Sequence, residues 1–195
     1  MKGMTNIEGI YFVGIGGIGM SALARYFMSE GYTVCGYDRT ESPLTDALDG
    51  EGCGITFNDS VDALPTLFSD PGRRHKVLVV WTPAVPKENR ILTYFRENGY
   101  IIYKRAEILG MISRETDAIA VAGTHGKTTV STMIAHILSS SSTGCSAFLG
   151  GISKNYGTNL LLEDSRYTVM EADEFDRSFL HLSPLIAVEI GRAHV

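Results

Sequence analysis

Short apolar runs alternate along this chain with stretches of helical periodicity, and glycines mark the joins. Residues 10–13 (IYFV), 33–37, 54–57, 76–81 and 100–103 are each a brief, mostly apolar and β-branched run bounded by turn formers, which predicts strands. Between them, residues 20–28, 44–48 and 89–97 carry apolar side chains at helical spacing. Gly50, Gly52, Gly72 and Gly99 punctuate the turns. Strands alternating with helices predict a mostly parallel, doubly wound, Rossmann-like α/β sheet, assigned to residues 1–115. The pattern then resumes. Residues 117–122 (DAIAVA) suit a buried strand, residues 128–138 a helix with Val130, Met133, Ile134, Ile137 and Leu138 on one face, and residues 167–170 and 185–188 two more strands.

Two of the joins are glycine loops between an apolar strand and a helix. The first, residues 14–19 (GIGGIG), fits G-x-G-x-x-G, with Gly17 inside it. Gly14 makes the tight turn, Gly16 lets the backbone approach a diphosphate, and Gly19 lets the following helix pack on the strand. Asp38, 19 residues after Gly19, ends the next strand where an acidic side chain can accept from a ribose or base. Thr82, Pro83 and Ala84, after Trp81, fall on the same rim of strand ends. Taken alone, this loop also suits a nicotinamide or flavin dehydrogenase, or a purely structural turn.

The second loop, in residues 121–129 (VAGTHGKTT), is a phosphate cradle. In such a loop backbone N–H groups converge with a helix N-terminus on a phosphate, so Lys127 can reach terminal phosphate oxygens and the Thr128 hydroxyl can ligate Mg²⁺. The spacing is shorter than G-x-x-x-x-G-K-[ST], whose first glycine would stand at Val121. The strand before it and the helix after it supply the context the motif requires.

Composition narrows the classes. With 44% hydrophobic and 20% charged residues the chain is an ordinary globular sequence, and its net charge of −5 argues against a broad nucleic-acid surface. Cys35, Cys53 and Cys145 form no C-x-x-C pair and have no histidine at metal-ligand spacing, which predicts neither a disulfide framework nor a zinc site and suits a reducing cytoplasm. The apolar runs fall short of the ~20 residues of a membrane span, so no membrane insertion is expected.

After a glycine-containing loop at 149–159, the strand at 167–170 runs into Glu171-Ala172-Asp173-Glu174-Phe175-Asp176, four carboxylates in six residues. Their mutual repulsion is relieved by metal coordination, and a nucleotide-bound Mg²⁺ is the natural partner beside a phosphate loop. The alternative is a solvated acidic turn.

Gly-Thr-His-Gly-Lys-Thr-Thr, followed 43 residues after Thr128 by Glu-Ala-Asp-Glu-Phe-Asp-Arg-Ser-Phe-Leu-His-Leu, resembles the Mur ligases of peptidoglycan synthesis, in the form of their alanine-adding branch. GIGGIGMSALA near the N-terminus and Lys104-Arg105-Ala106-Glu107 look like the same family, and the likeness runs to about residue 188. Residues 152–159 resemble its Bacteroidetes form. The resemblance implies a Rossmann-like sugar-nucleotide domain over 1–115 and an incomplete P-loop ATPase α/β domain over 116–188. It implies that Gly14, Gly16, Gly17, Gly19, Asp38 and Thr82 serve a UDP-sugar, with no nicotinamide. It also implies that Gly123, Thr124, His125, Gly126, Lys127, Thr128 and Thr129 bind ATP, that Thr128 and Glu171 ligate Mg²⁺, and that Lys127 and Glu171 are catalytic. UDP-N-acetylmuramate and L-alanine are then the substrates, with no nucleic-acid partner and no obligate protein partner.

The departure comes after Val188. Family members continue there into a segment whose histidine is a further metal ligand and then into a C-terminal domain; here the chain reads EIGRAHV. Residues 190–195 can be back-translated to a common sequencing-adapter string, so 189–195 are expected to be a non-native tail, His194 not to be the missing ligand, and the chain alone not to catalyse ligation. The rival expectations are the recycling ligase that attaches a tripeptide to the same sugar nucleotide, a nicotinamide dehydrogenase, and a non-catalytic nucleotide-binding module.

Overall fold

The computed structural model describes residues 6–191, apart from the side chains of Phe175 and Asp176; residues 192–195 of the expected tail, with His194, lie outside the described residues. The chain packs as two compact units that part after Arg105.

The first unit runs β1 (Gly9–Val13), α1 (Ile18–Ser29), β2 (Thr33–Tyr37), α2 (Pro43–Gly50), β3 (Gly54–Thr56), the short α3 (Thr66–Ser69), β4 (Val77–Trp81), α4 (Arg90–Glu97) and β5 (Ile101–Lys104). Its five strands are all parallel in the order β3-β2-β1-β4-β5. Every residue of β1 is buried, as expected of the central strand of a sheet covered on both faces. On one face Tyr11 stacks edgewise or tilted between Phe68 and Phe95, with both ring centroids 5.2 Å away. Each such pair contributes about 0.5–1.5 kcal/mol beyond the area it buries. The strand order reverses direction between β1 and β4, so the crevice beyond their carboxyl ends is where this architecture places a ligand.

The second unit contains α5 (Arg105–Glu115), β6 (Asp117–Ala122), α6 (Lys127–Ser139), β7 (Ser146–Phe148), β8 (Leu160–Leu161), β9 (Tyr167–Glu171), a 3₁₀ segment (Phe175–His181) and β10 (Ile186–Glu189). The sheet order is β10-β6-β9-β7-β8, parallel except for the β7–β8 pair. Apart from its first residue, α5 packs with this unit: the Ser183 N–H donates to Ser113 Oγ at 3.0 Å, and Arg114 donates to the His181 carbonyl. Glu189 lies within β10, and the Ile190 N–H donates to the Ala122 carbonyl at 2.9 Å, so both of these residues of the expected tail continue the strand's pairing with β6.

The helical face expected on α6 is narrower than its sequence suggests. Ile134 and Leu138 pack on the core with the buried Ser131 and Ala135, whereas Met133 is 58% and Ile137 65% exposed. The spacing 131, 134, 135, 138 defines the buried stripe, and Met133 and Ile137 fall just outside it. The expected loop at 149–159 is flanked by β7 and β8, strands too short to register in a periodicity.

Candidate functional site

The first glycine loop is pinned to the sheet by its backbone. The N–H groups of Gly14 and Ile15 both donate to the Tyr37 carbonyl, at 2.7 and 3.0 Å. Gly14 has φ +90°, a conformation that favours glycine, and a Cβ there would stand 2.8 Å from Val85 Cγ2 and 2.9 Å from Thr82 Cγ2. The turn after β4 is thereby closed against the loop after β1. Gly14, Gly16, Gly17, Gly19, Asp38 and Thr82 all line one cavity of about 750 Å³, within the range of small-molecule sites. The first turn of α1 borders it with neither a capping side chain nor an acidic residue, leaving the positive end of the helix open to an anion.

Two of these glycines have neighbours that the motif does not announce. A Cβ at Gly19 would meet the Arg105 guanidinium, so the bare position makes room for that cation. A Cβ at Gly16 would meet Asp38 Oδ2 at 2.9 Å and Thr45 Cγ2 at 3.0 Å. The Asp38 carboxylate accepts the Gly16 N–H at 2.7 Å and the Thr40 N–H at 3.3 Å, so the acid expected to meet a ribose also ties the loop to the end of β2.

Sequence reasoning missed several residues of this cavity. Arg39 and Arg105 supply its positive charge, opposite Asp38, Asp59 and Glu88. Asp59 accepts from Asn89 Nδ2 at 2.8 Å and from the Arg90 and Ile91 N–H groups at 3.1 Å, which caps α4 at the cavity wall. Asn89, the first residue of the stretch read as helical, is itself the cap: its Oδ1 accepts from the Leu92 N–H. Asp59 acts across 30 residues of sequence and leaves no local signal.

In the second unit β6 delivers the phosphate loop. Gly126, the residue before α6, has φ +84°, and Gly123 has φ +141°. Thr124, His125, Gly126, Thr128 and Thr129 are exposed around the loop and first helical turn. Lys127 curls back: its Nζ donates to the Gly123 carbonyl at 2.8 Å and to Glu174 Oε2 at 2.7 Å. The hydrogen bond from Lys127 holds the Glu174 carboxyl below the usual carboxylate range.

Parallel pairing of β6 with β9 sets Val121 opposite Glu171 and so brings this carboxylate to the loop. Thr128 Oγ1 donates to Glu171 Oε2 at 3.2 Å. Glu171 Oε1 is held by the Gly150 N–H at 2.8 Å and Ser131 Oγ at 3.1 Å. Ser131 was also missed, although its position three residues after Thr128 puts it on the same side of the helix.

Glu171 and Glu174 turn to separate partners, and among the described residues no group of three or more Cys, His, Asp or Glu converges as a metal site. A hydroxyl beside a carboxylate is nevertheless a hard-oxygen pair that fits Mg²⁺, which takes one or two protein oxygens and completes its shell with phosphate and water. Thr128 and Glu171 thus fit the cation implied for them. The three cysteines do not belong to either site: all are buried, and burial pushes the Cys53 thiol up to about 12 and those of Cys35 and Cys145 above their ordinary value. Among the described residues no helix is long and apolar enough to cross a membrane.

Comparison with known proteins also divides the chain in two, between residues 116 and 121. The profile of the Mur ligase family, catalytic domain, matches residues 9–116, and that of the Mur ligase middle domain matches residues 121–194. The UDP-N-acetylmuramate--L-alanine ligase of Phocaeicola vulgatus is 57% identical over 186 residues, covering 95% of this chain and 40% of that protein. The ligase of the same name from Porphyromonas gingivalis is 57% identical over 180 residues, covering 92% and 39%. Both are Bacteroidetes relatives. Among solved structures, the UDP-N-acetylmuramate-alanine ligase of Thermotoga maritima is 31% identical with a TM-score of 0.80, covering 94% of this chain and 41% of that one. A murein peptide ligase from Psychrobacter arcticus is 26% identical, also with a TM-score of 0.80, covering 96% and 43%. The chain thus spans about 40% of the length of the curated relatives it matches. With both of its units matched by the profiles, the chain belongs to the Mur ligase family.

Proposed function

We propose that this chain is the sugar-nucleotide-binding and phosphate-loop portion of an ATP-dependent, amide-bond-forming ligase that joins L-alanine to the lactyl carboxylate of UDP-N-acetylmuramate. The observation that carries the reading is the pairing, in one chain, of a glycine-loop cavity in one unit with a lysine-bearing phosphate loop in the other. A dehydrogenase would leave the second loop unused. The 57% identity to curated alanine ligases, and among solved structures 31% to an alanine ligase against 26% to a murein peptide ligase, favours alanine over a peptide as the amine.

In this reading the first unit binds UDP-N-acetylmuramate. The loop at 14–19 and the first turn of α1 meet its diphosphate, and Asp38 and Thr82 contact the rest of the nucleotide. The second unit binds ATP through Gly123, Thr124, His125, Gly126, Lys127, Thr128 and Thr129, and Thr128 and Glu171 would hold Mg²⁺. When bound, the cation screens phosphate charge and polarises the phosphoryl group. Lys127 exchanges Glu174 and the Gly123 carbonyl for phosphate oxygens, placing a fixed positive charge where negative charge accumulates. The lactyl carboxylate takes the γ-phosphoryl group of ATP to become an acyl phosphate as ADP leaves, and the alanine amine then attacks the acyl carbon, forming the amide and releasing inorganic phosphate. This chemistry suits a cytoplasmic enzyme, since ATP and UDP-sugars are intracellular substrates.

The test is ADP release by an enzyme completed to the length of those relatives. Release should require UDP-N-acetylmuramate and L-alanine together. Release supported by the tripeptide but not by alanine would replace this assignment with the recycling ligase.

A further inference from the structure

Glu171 is held in an asymmetric way. Both donors on Oε1, the Gly150 N–H and Ser131 Oγ, come from outside the presumed ligand pair, while Oε2 faces Thr128 Oγ1. Ser131 is fully buried. Its hydroxyl lies 3.1 Å from both Glu171 Oε1 and the Thr128 carbonyl. One proton serves one acceptor at a time, and the charged carboxylate is the stronger acceptor. A polar side chain at a fully buried helix position, where Ala135 fills the next turn of the same stripe, is costly unless its hydrogen bond is used. Gly150 closes the other side: a Cβ there would collide with the Glu171 carboxylate, so this position must lack a side chain for the carboxylate to lie where it does.

We infer that Ser131 is a positioning residue which, together with the Gly150 N–H, locks one oxygen of Glu171 so that the other stays turned toward Thr128 for a divalent cation. The inference rests on the proposed reading of Thr128 and Glu171 as the cation-holding pair. Ser131 touches neither nucleotide nor cation in this account. Its effect passes entirely through the orientation of a carboxylate, the way outer partners of metal ligands act elsewhere.

The experiment is titration of the chain with ATP by calorimetry, over a Mg²⁺ series and in EDTA. The wild type, Ser131→Ala, Gly150→Ala, Glu171→Gln and the Ser131→Ala/Glu171→Gln double variant are compared. Ser131→Ala should raise the Mg²⁺ concentration for half-maximal enhancement of ATP binding about tenfold, with metal-free ATP affinity unchanged. Gly150→Ala should act in the same direction by displacing Glu171. In the Glu171→Gln background the serine substitution should add nothing, because the group it orients has lost its charge. A Ser131→Ala effect equal with and without Mg²⁺, or one that persists in full in the Glu171→Gln background, would show a merely structural serine and overturn the inference. Wild-type Mg²⁺ dependence in both Ser131→Ala and Gly150→Ala would overturn it as well while leaving the proposed site standing. ATP binding without any Mg²⁺ dependence in the wild type would instead remove the cation-pair reading itself, and the inference with it.

Discussion

Lys127 Nζ stands 2.7 Å from Glu174 Oε2 and 2.8 Å from the Gly123 carbonyl oxygen, so a loop carbonyl and a carboxylate from the turn after β9 hold a lysine whose donors suit phosphate. The contact is made partly in water, since the Glu174 side chain is 51% exposed, so it adds little to stability and weakens with salt. Its readable consequence is a titration. The hydrogen bond from Lys127 lowers the Glu174 pKa in the folded chain. For a lowered carboxylate the stabilisation is present above the unfolded pKa and is lost as pH falls through the folded one. Carbon-detected NMR should show Glu174 titrating below the ordinary glutamate range, and returning to it in Lys127→Ala or on saturation with Mg²⁺-ATP. An unchanged titration in Lys127→Ala would show that the lysine is not the cause.

Lys127→Ala should also separate the two ligands. In the completed ligase it should lower turnover by roughly a thousandfold, the scale of losing one preorganised charge donor. UDP-N-acetylmuramate affinity should stay within about twofold, because every residue lining the glycine-loop cavity lies in the first unit. Steady-state kinetics and calorimetry on the same preparation check both halves. A parallel loss of sugar-nucleotide binding would contradict the assignment of the two loops to separate ligands.

Gly16→Val should abolish sugar-nucleotide binding for a reason more specific than a blocked approach to phosphate. The first added carbon would already crowd Asp38 Oδ2 and Thr45 Cγ2, so either the Asp38 carboxylate leaves the Gly16 N–H or the loop shifts off the end of β2. Calorimetry should show no UDP-N-acetylmuramate binding while ATP binding persists. Retained binding would mean that the Gly16 N–H and Asp38 are not both part of the site.

The central features of both units were legible because they are local. β2 and β6 fall at their expected limits, and the two glycine loops announce themselves by glycines set between an apolar strand and a helix. What escaped was contact between distant residues. Asp59 caps a helix about 30 residues away, and Arg105 fills the space left by Gly19, neither of which any periodicity encodes. Glu171 was picked out from its acidic neighbours by resemblance, and its partners Ser131 and Gly150 lie 40 and 21 residues away, brought to it by the pairing of β9 with β6 on one side and with β7 on the other. The apolar face of α6 was drawn too wide because Met133 and Ile137 are hydrophobic without being buried.

Among the described residues β10 forms the edge of the second sheet, paired with β6 alone; Leu185 before it and Ile186 at its start are 63% and 46% exposed. Such an edge opens more readily than a strand flanked on both sides. Amides of Ile186–Glu189 should exchange at least tenfold faster than those of Gly9–Val13, which lies between two neighbours with all residues buried. Hydrogen exchange read by mass spectrometry checks this. Equal protection in the two strands would show that the edge is covered in solution.

The central claim, that the glycine-loop cavity takes a UDP-sugar and no dinucleotide, is tested most directly by calorimetric titration of this chain with UDP-N-acetylmuramate and, separately, with NADH. The account predicts saturable one-to-one binding of the UDP-sugar in the absence of ATP and no heat from NADH. Binding of NADH with no binding of UDP-N-acetylmuramate would contradict it.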